Sequence, residues 1–122
     1  MRLFHAPLLS RAETDDLVAT RLQWILEAAS PTCILVFGSA GRYEMRADSD
    51  IDFIVITHDE DDVASLTARV LGRKPPHEVA ADILFYTERA FLERARMGGA
   101  CYLAMNEGRV IYGHLPVEGK KP

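Results

Sequence analysis

The sequence predicts an α/β (α+β) protein, a small mixed β-sheet with helices packed on it. Short β-branched apolar runs at 32–37, 51–57 and 78–87 are the length of strands and too brief for helices. Between 10 and 30 the apolar residues instead recur at helical spacing. The two patterns alternate in the order helix, strand, strand, helix, strand, two helices, strand, which is how a sheet acquires helical cover.

The first helix opens at Ser10, with Glu13 three residues on in a capping-box pattern, carries Leu17, Val18, Leu22, Ile25, Leu26 and Ala29 on its apolar side, and stops at Ser30-Pro31. TCILVF (32–37) follows as a strand ending at Gly38-Ser39, and a polar segment leads to a second strand, IDFIVIT (51–57). After the acidic run 59–62, Val63, Leu66, Val70 and Leu71 mark one face of a helix that ends near Gly72 and Pro75-Pro76. The acids fit a first helical turn, where carboxylates stabilise the positive end of the helix dipole, better than they fit a metal site. A third strand is expected over 78–87, then helix-like ERAFLERARM, a Gly98-Gly99 break, a short helix over 100–108 and a last strand, RVIYG. A single domain over 1–122 is expected, with its core at about 10–113 and a polar tail at 114–122.

Composition narrows the function classes. The 122 residues are 48% hydrophobic and 26% charged with a net charge of −4, so no basic excess exists to hold nucleic acid through its phosphates. No apolar run is long enough to span a bilayer and the N-terminus lacks the pattern of a secretory signal, so a cytoplasmic protein is expected. Cys33 and Cys101 lie far apart in apolar runs and read as reduced core residues, not as zinc ligands.

The chemistry concentrates around the second strand. Asp50 and Asp52 stand two apart, so both project from one strand face about 6–7 Å apart along the chain. Like charges so placed repel and raise one another's pKa unless a cation lies between them, and Mg²⁺ accepts one or two carboxylates together with phosphate oxygens and water. An isolated D-x-D is more simply a polar turn with one acid facing solvent. Here, however, the preceding strand ends in Gly38-Ser39, separated from Asp50 by ten residues. A glycine lets backbone approach a ligand closely, and its amide and the serine hydroxyl can hold phosphate oxygens if a helical turn starts at Ala40. Asp82 lies mid-strand between apolar neighbours, where it is either a partly exposed edge residue, an arginine partner, or the third carboxylate of a two-metal site and a base toward an acceptor hydroxyl.

Taken together, FGSAGRYEMRADSDIDFIVI (37–56) resembles the minimal nucleotidyltransferases of the polymerase-β-like superfamily, whose mark is an apolar strand, Gly-Ser, ten residues and D-x-D entering a second strand. NEGRVIYG is similar to the close of that domain, so the resemblance spans roughly 14–113. It implies that Gly38, Ser39 and Arg42 contact the nucleotide and that Asp50, Asp52 and Asp82 ligate two Mg²⁺ ions. It further implies transfer of a nucleoside monophosphate, AMP from ATP, to a hydroxyl. Glu44 falls where the family often has an acid, while Tyr43 stands where many members have glycine and Ala47 where proline is common. Such proteins pair with helical HEPN proteins as antitoxin and toxin, the transferase adding AMP to the toxin. The alternatives are a binding module that neutralises a partner without catalysis, an aminoglycoside-type small-molecule transferase, and a homodimer that completes its own acceptor pocket.

The remaining features read more plainly. His5, His58, His77 and His114 are dispersed and read as surface or loop residues, although His58 closes the second strand. Trp24 reads as packing. Arg42 and Arg46 lie in the loop between Ser39 and Asp50, where phosphate contact and solvent exposure are both open.

Overall fold

The computed structural model describes residues 6–73 and 81–117. Within them the chain runs α1(Arg11–Ala28), β1(Cys33–Phe37), α2(Gly38–Gly41), β2(Ile51–Thr57), α3(Val63–Gly72), β3(Ala81–Thr87), α4(Glu88–Ala95), α5(Gly99–Glu107) and β4(Arg109–Gly113). The expected order is therefore present, with one extra turn of helix where the Gly-Ser pair leaves β1. The expected start of the third strand at 78–80, the Pro75-Pro76 pair, His5 and His77 lie outside the described residues.

The strands form one sheet in the order β3-β2-β1-β4. β1 is antiparallel to both β2 and β4, while β2 and β3 are parallel and joined through α3. The central strands β1 and β2 are buried on both faces, which explains why they read as continuous apolar runs and not as alternating ones. Alternation decides which cluster each residue joins. Ile34, Val36, Phe53, Val55, Ile83 and Phe85 pack with α1 and α3, whereas Cys33, Leu35, Ile54 and Ile56 pack with Phe91 of α4 and Cys101 and Ala104 of α5. The sheet thus lies between two helical layers.

Local chemistry sets the helix ends. The capping box at α1 is complete: the Ser10 amide donates to Glu13 Oε1 at 2.8 Å and the Glu13 amide to Ser10 Oγ at 3.0 Å. Trp24 is buried and donates its indole N–H to the Val70 carbonyl at 2.9 Å, pinning α1 to α3. The acidic run lies just before α3 and not inside its first turn. Asp62 is the N-cap, accepting the Ser65 amide at 3.2 Å, and Asp59 accepts the Arg89 amide of α4 at 2.8 Å. Both cysteines are buried and free, and burial pushes the Cys33 thiol up to about 11. Among the described residues no helix is long and apolar enough to cross a membrane.

Candidate active site

Asp52 is the second residue of β2 and Asp82 the second of β3, and the parallel register sets them side by side. Hydrogen-bonded strands lie about 4.8 Å apart, so the two carboxylates rise from adjacent positions on one face of the sheet. On the other flank Asp52 pairs with Phe37, the last residue of β1. The chain therefore leaves the sheet at Gly38 immediately beside the Asp52 carboxylate. Gly38 has φ +67°, and a Cβ at that position would run into Asp52 Oδ2. Glycine is thus required both by its left-handed backbone and by the close approach of the acid.

Gly38 and Ser39 form the first half of α2, the turn expected near Ala40. Asp50 is exposed and shares the parity of Asp52 in the chain entering β2. Burial, then the Asp82 and Asp50 charges, push the Asp52 carboxyl above its ordinary value, and the Arg42 guanidinium draws it part of the way back. The structure thereby brings Gly38, Asp50, Asp52, Asp82 and Arg42 into one neighbourhood, with Ser39 on the adjoining turn. All of the acids offer hard oxygen donors, the set Mg²⁺ selects. Among the described residues no three acidic, histidine or cysteine side chains already converge as a cage for an ion. Asp82 is exposed on an edge strand, so its edge placement and its pairing with Asp52 hold together.

The loop between the turn and β2 is more tied down than its composition suggests. Arg42 bonds Glu44 Oε1 at 2.8 Å and lies 3.7 Å from Glu107 at the end of α5. Arg46 is part-buried and its Nη1 donates to the Ala6 carbonyl at 2.7 Å. Tyr43, standing where the resembled family often has glycine, takes φ +59°. Sequence reasoning gave no role to Arg109, which donates to the Gly41 and Ala40 carbonyls of α2 at 3.1 Å each. No motif marks it, since its partners are backbone atoms almost seventy residues away.

His58 sits at the far end of β2 from Asp52, donating its backbone amide to Asp61. An open cleft of about 510 Å³ lies at that same far end, between the end of α1 and the start of α3. It contains none of the site residues.

Residues 21–114 match the family model described as polymerase beta, nucleotidyltransferase. The fold is similar to a crystal structure from Sulfolobus solfataricus provisionally assigned as a nucleotidyltransferase, with a TM-score of 0.57 and 15% identity over 84% of this chain and 83% of that one. A toxin-antitoxin structure with AMP-PNP aligns at TM-score 0.44 and 18% identity, covering 82% of this chain and 73% of that one. A mutant of the toxin-antitoxin pair MntA-HpeT aligns at 0.39 and 17%, covering 87% and 75%. No curated protein matches the sequence.

Proposed function

The chain belongs to the polymerase beta nucleotidyltransferase family, and from that premise we propose that it binds ATP with Mg²⁺ and transfers AMP to a hydroxyl of a protein. The observation that carries this reading is the Asp52–Asp82 register beside Gly38. Two acids held in neighbouring positions against a glycine turn have no packing purpose, and burial together with the charges of Asp82 and Asp50 raises the Asp52 pKa. Divalent ions bound there would offset that repulsion and the charge that develops on the phosphates.

The chain's own groups would then divide the work. The Gly38 backbone and the Ser39 hydroxyl hold triphosphate oxygens, and Arg42 exchanges part of its contact with Glu44 for phosphate. Asp50, Asp52 and Asp82 would hold the metal ions. The acceptor oxygen attacks the α-phosphorus in line, a new P–O bond forms, the bond to the β-phosphate oxygen breaks and pyrophosphate leaves. The acceptor's proton passes to the Asp82 carboxylate.

In-line transfer needs the acceptor oxygen within about 3–3.5 Å of phosphorus. Among the described residues the elements beside the aspartates are spent on the sheet and its cover, and the one cleft described above lies at the opposite end of β2. In this reading the acceptor is presented by a second polypeptide, a helical HEPN protein whose modification makes this chain its antitoxin. Labelled ATP and Mg²⁺ are added to the protein with its co-purifying partner, and intact masses are recorded. The partner should gain the mass of AMP. Label found only on a small molecule, with the protein acting alone, would sink the antitoxin reading and leave the transferase one standing.

A further inference from the structure

The turn that carries Gly38 and Ser39 is one helical turn long, and no side chain caps its N-terminus. Its own amide bonds run from Arg42 to the Gly38 carbonyl at 3.1 Å, from Tyr43 to Ala40 at 3.3 Å and from Glu44 to Ser39 at 2.8 Å. Four residues cannot hold a helical conformation by themselves, because nucleating a turn costs more than its few bonds return. Something beyond the turn fixes it.

Arg109 supplies that support. It opens β4, paired with Val36 one residue before the end of β1, and its Nε and Nη2 reach the Gly41 and Ala40 carbonyls at 3.1 Å each. A planar guanidinium meets two successive carbonyls as a fork, a geometry an ammonium cannot copy. Its orientation is fixed in turn. The Arg109 Cζ lies 4.0 Å from the centroid of the Tyr43 ring and the Arg11 Cζ 4.3 Å from it. Both guanidiniums therefore lie over the Tyr43 ring. Asp15 accepts the Tyr43 hydroxyl at 2.8 Å and lies 3.8 Å from Arg109 Nη2, which offsets one of the two positive charges at the ring. Stacking and the hydroxyl bond together hold Tyr43 in its left-handed backbone, a conformation that side-chain-bearing residues otherwise avoid.

We propose that Arg109 is a positioning residue for the nucleotide site: through the Ala40 and Gly41 carbonyls, and held flat by Tyr43, it fixes the turn whose other end contacts the triphosphate. The inference rests on the reading of Gly38 and Ser39 as the phosphate contact. It requires no direct contact between Arg109 and the nucleotide.

Arg109→Met keeps the apolar stem and removes both donors, and Arg109→Lys keeps the charge but reaches at most one carbonyl. Two quantities are measured on the full chain: hydrogen exchange at the Arg42, Tyr43 and Glu44 amides without nucleotide, and the Kd for a non-hydrolysable ATP analogue with Mg²⁺. Both variants should exchange those three amides about ten-fold faster or more while β2 amides stay protected. Affinity should fall about ten-fold. Unchanged exchange or unchanged affinity in a folded variant overturns the proposal. So does weaker binding without faster exchange, which would mean direct contact with phosphate. If Arg109→Met does not fold, Arg109→Lys decides by the same two readings. A wild-type chain that fails to bind the analogue refutes the transferase reading instead, and the exchange measurement still tests whether Arg109 holds the turn.

Discussion

Gly38→Ala tests the join between the turn and the proposed metal-binding acids. The new methyl would force a left-handed residue, costing roughly 1–2 kcal/mol, partly offset by about 0.4–1 kcal/mol from a stiffer unfolded chain. The Cβ also runs into Asp52 Oδ2, and displacing that side chain from its rotamer adds about 0.5–1.5 kcal/mol. The sum is about 2 kcal/mol, or a Tm lower by about 8 °C for a domain of this size. The two causes separate in an Asp52→Ala background, because the nearest atom remaining there is the Asp52 Cβ at 3.7 Å, an ordinary contact. Urea denaturation of the two single variants and the double variant should give a coupling energy of about 1 kcal/mol, with the double variant retaining only the backbone cost. Equal costs for Gly38→Ala in both backgrounds would show that the carboxylate does not lie against the turn, and the geometry argued for the site would fail with it.

Asp52→Asn should abolish transfer and also raise Tm at neutral pH. The folded-state pKa of Asp52 is raised, so ionising it costs stability, and that cost disappears as pH falls below the ordinary carboxylate range. The gain should accordingly shrink toward zero below about pH 4, and a gain independent of pH would speak against charge repulsion as its source. Asp82→Asn, at an exposed position, should lose transfer with little change in Tm; retained transfer would reduce the metal site to Asp50 and Asp52. Ser39→Ala removes one neutral hydrogen bond, worth about 0.5–1.5 kcal/mol, and should raise the Kd for ATP about two- to ten-fold. Trp24→Phe loses the bond to the Val70 carbonyl and should cost about 1–2 kcal/mol of stability, while an altered nucleotide affinity would link the α1–α3 seam to the site.

Most of the architecture is legible in the sequence because its signals are local. The Ser10–Glu13 box, the apolar repeat through Ile25 and the β-branched runs at β1 and β2 each name their element without reference to the rest of the chain. The acidic run was readable as helix-start chemistry, but propensity could not say that Asp62 caps α3 and Asp59 receives an amide from α4, since the second partner lies thirty residues on. At the candidate site, the spacing of Gly38, Ser39, Asp50 and Asp52 shows within one short stretch. The adjacency of Asp82 does not, because a strand's register follows from its pairing and no periodicity in one strand reports its neighbour. The partners of Arg46 and the role of Arg109 are illegible for a related reason: both residues bond backbone carbonyls, which every residue has and no motif distinguishes.

The parallel pairing of β2 and β3 carries an evolutionary consequence. The spacing between Asp52 and Asp82 is measured by the ladder of hydrogen bonds and not by the length of chain that joins the strands. Insertions and deletions between α3 and β3 therefore leave the carboxylates where they are, and loop closure penalises added length only slowly. A slip of one position in the ladder would bring Ile83 beside Asp52 and turn Asp82 to the opposite face. The length of that crossover can thus change without moving the acids, whereas the register of one strand cannot.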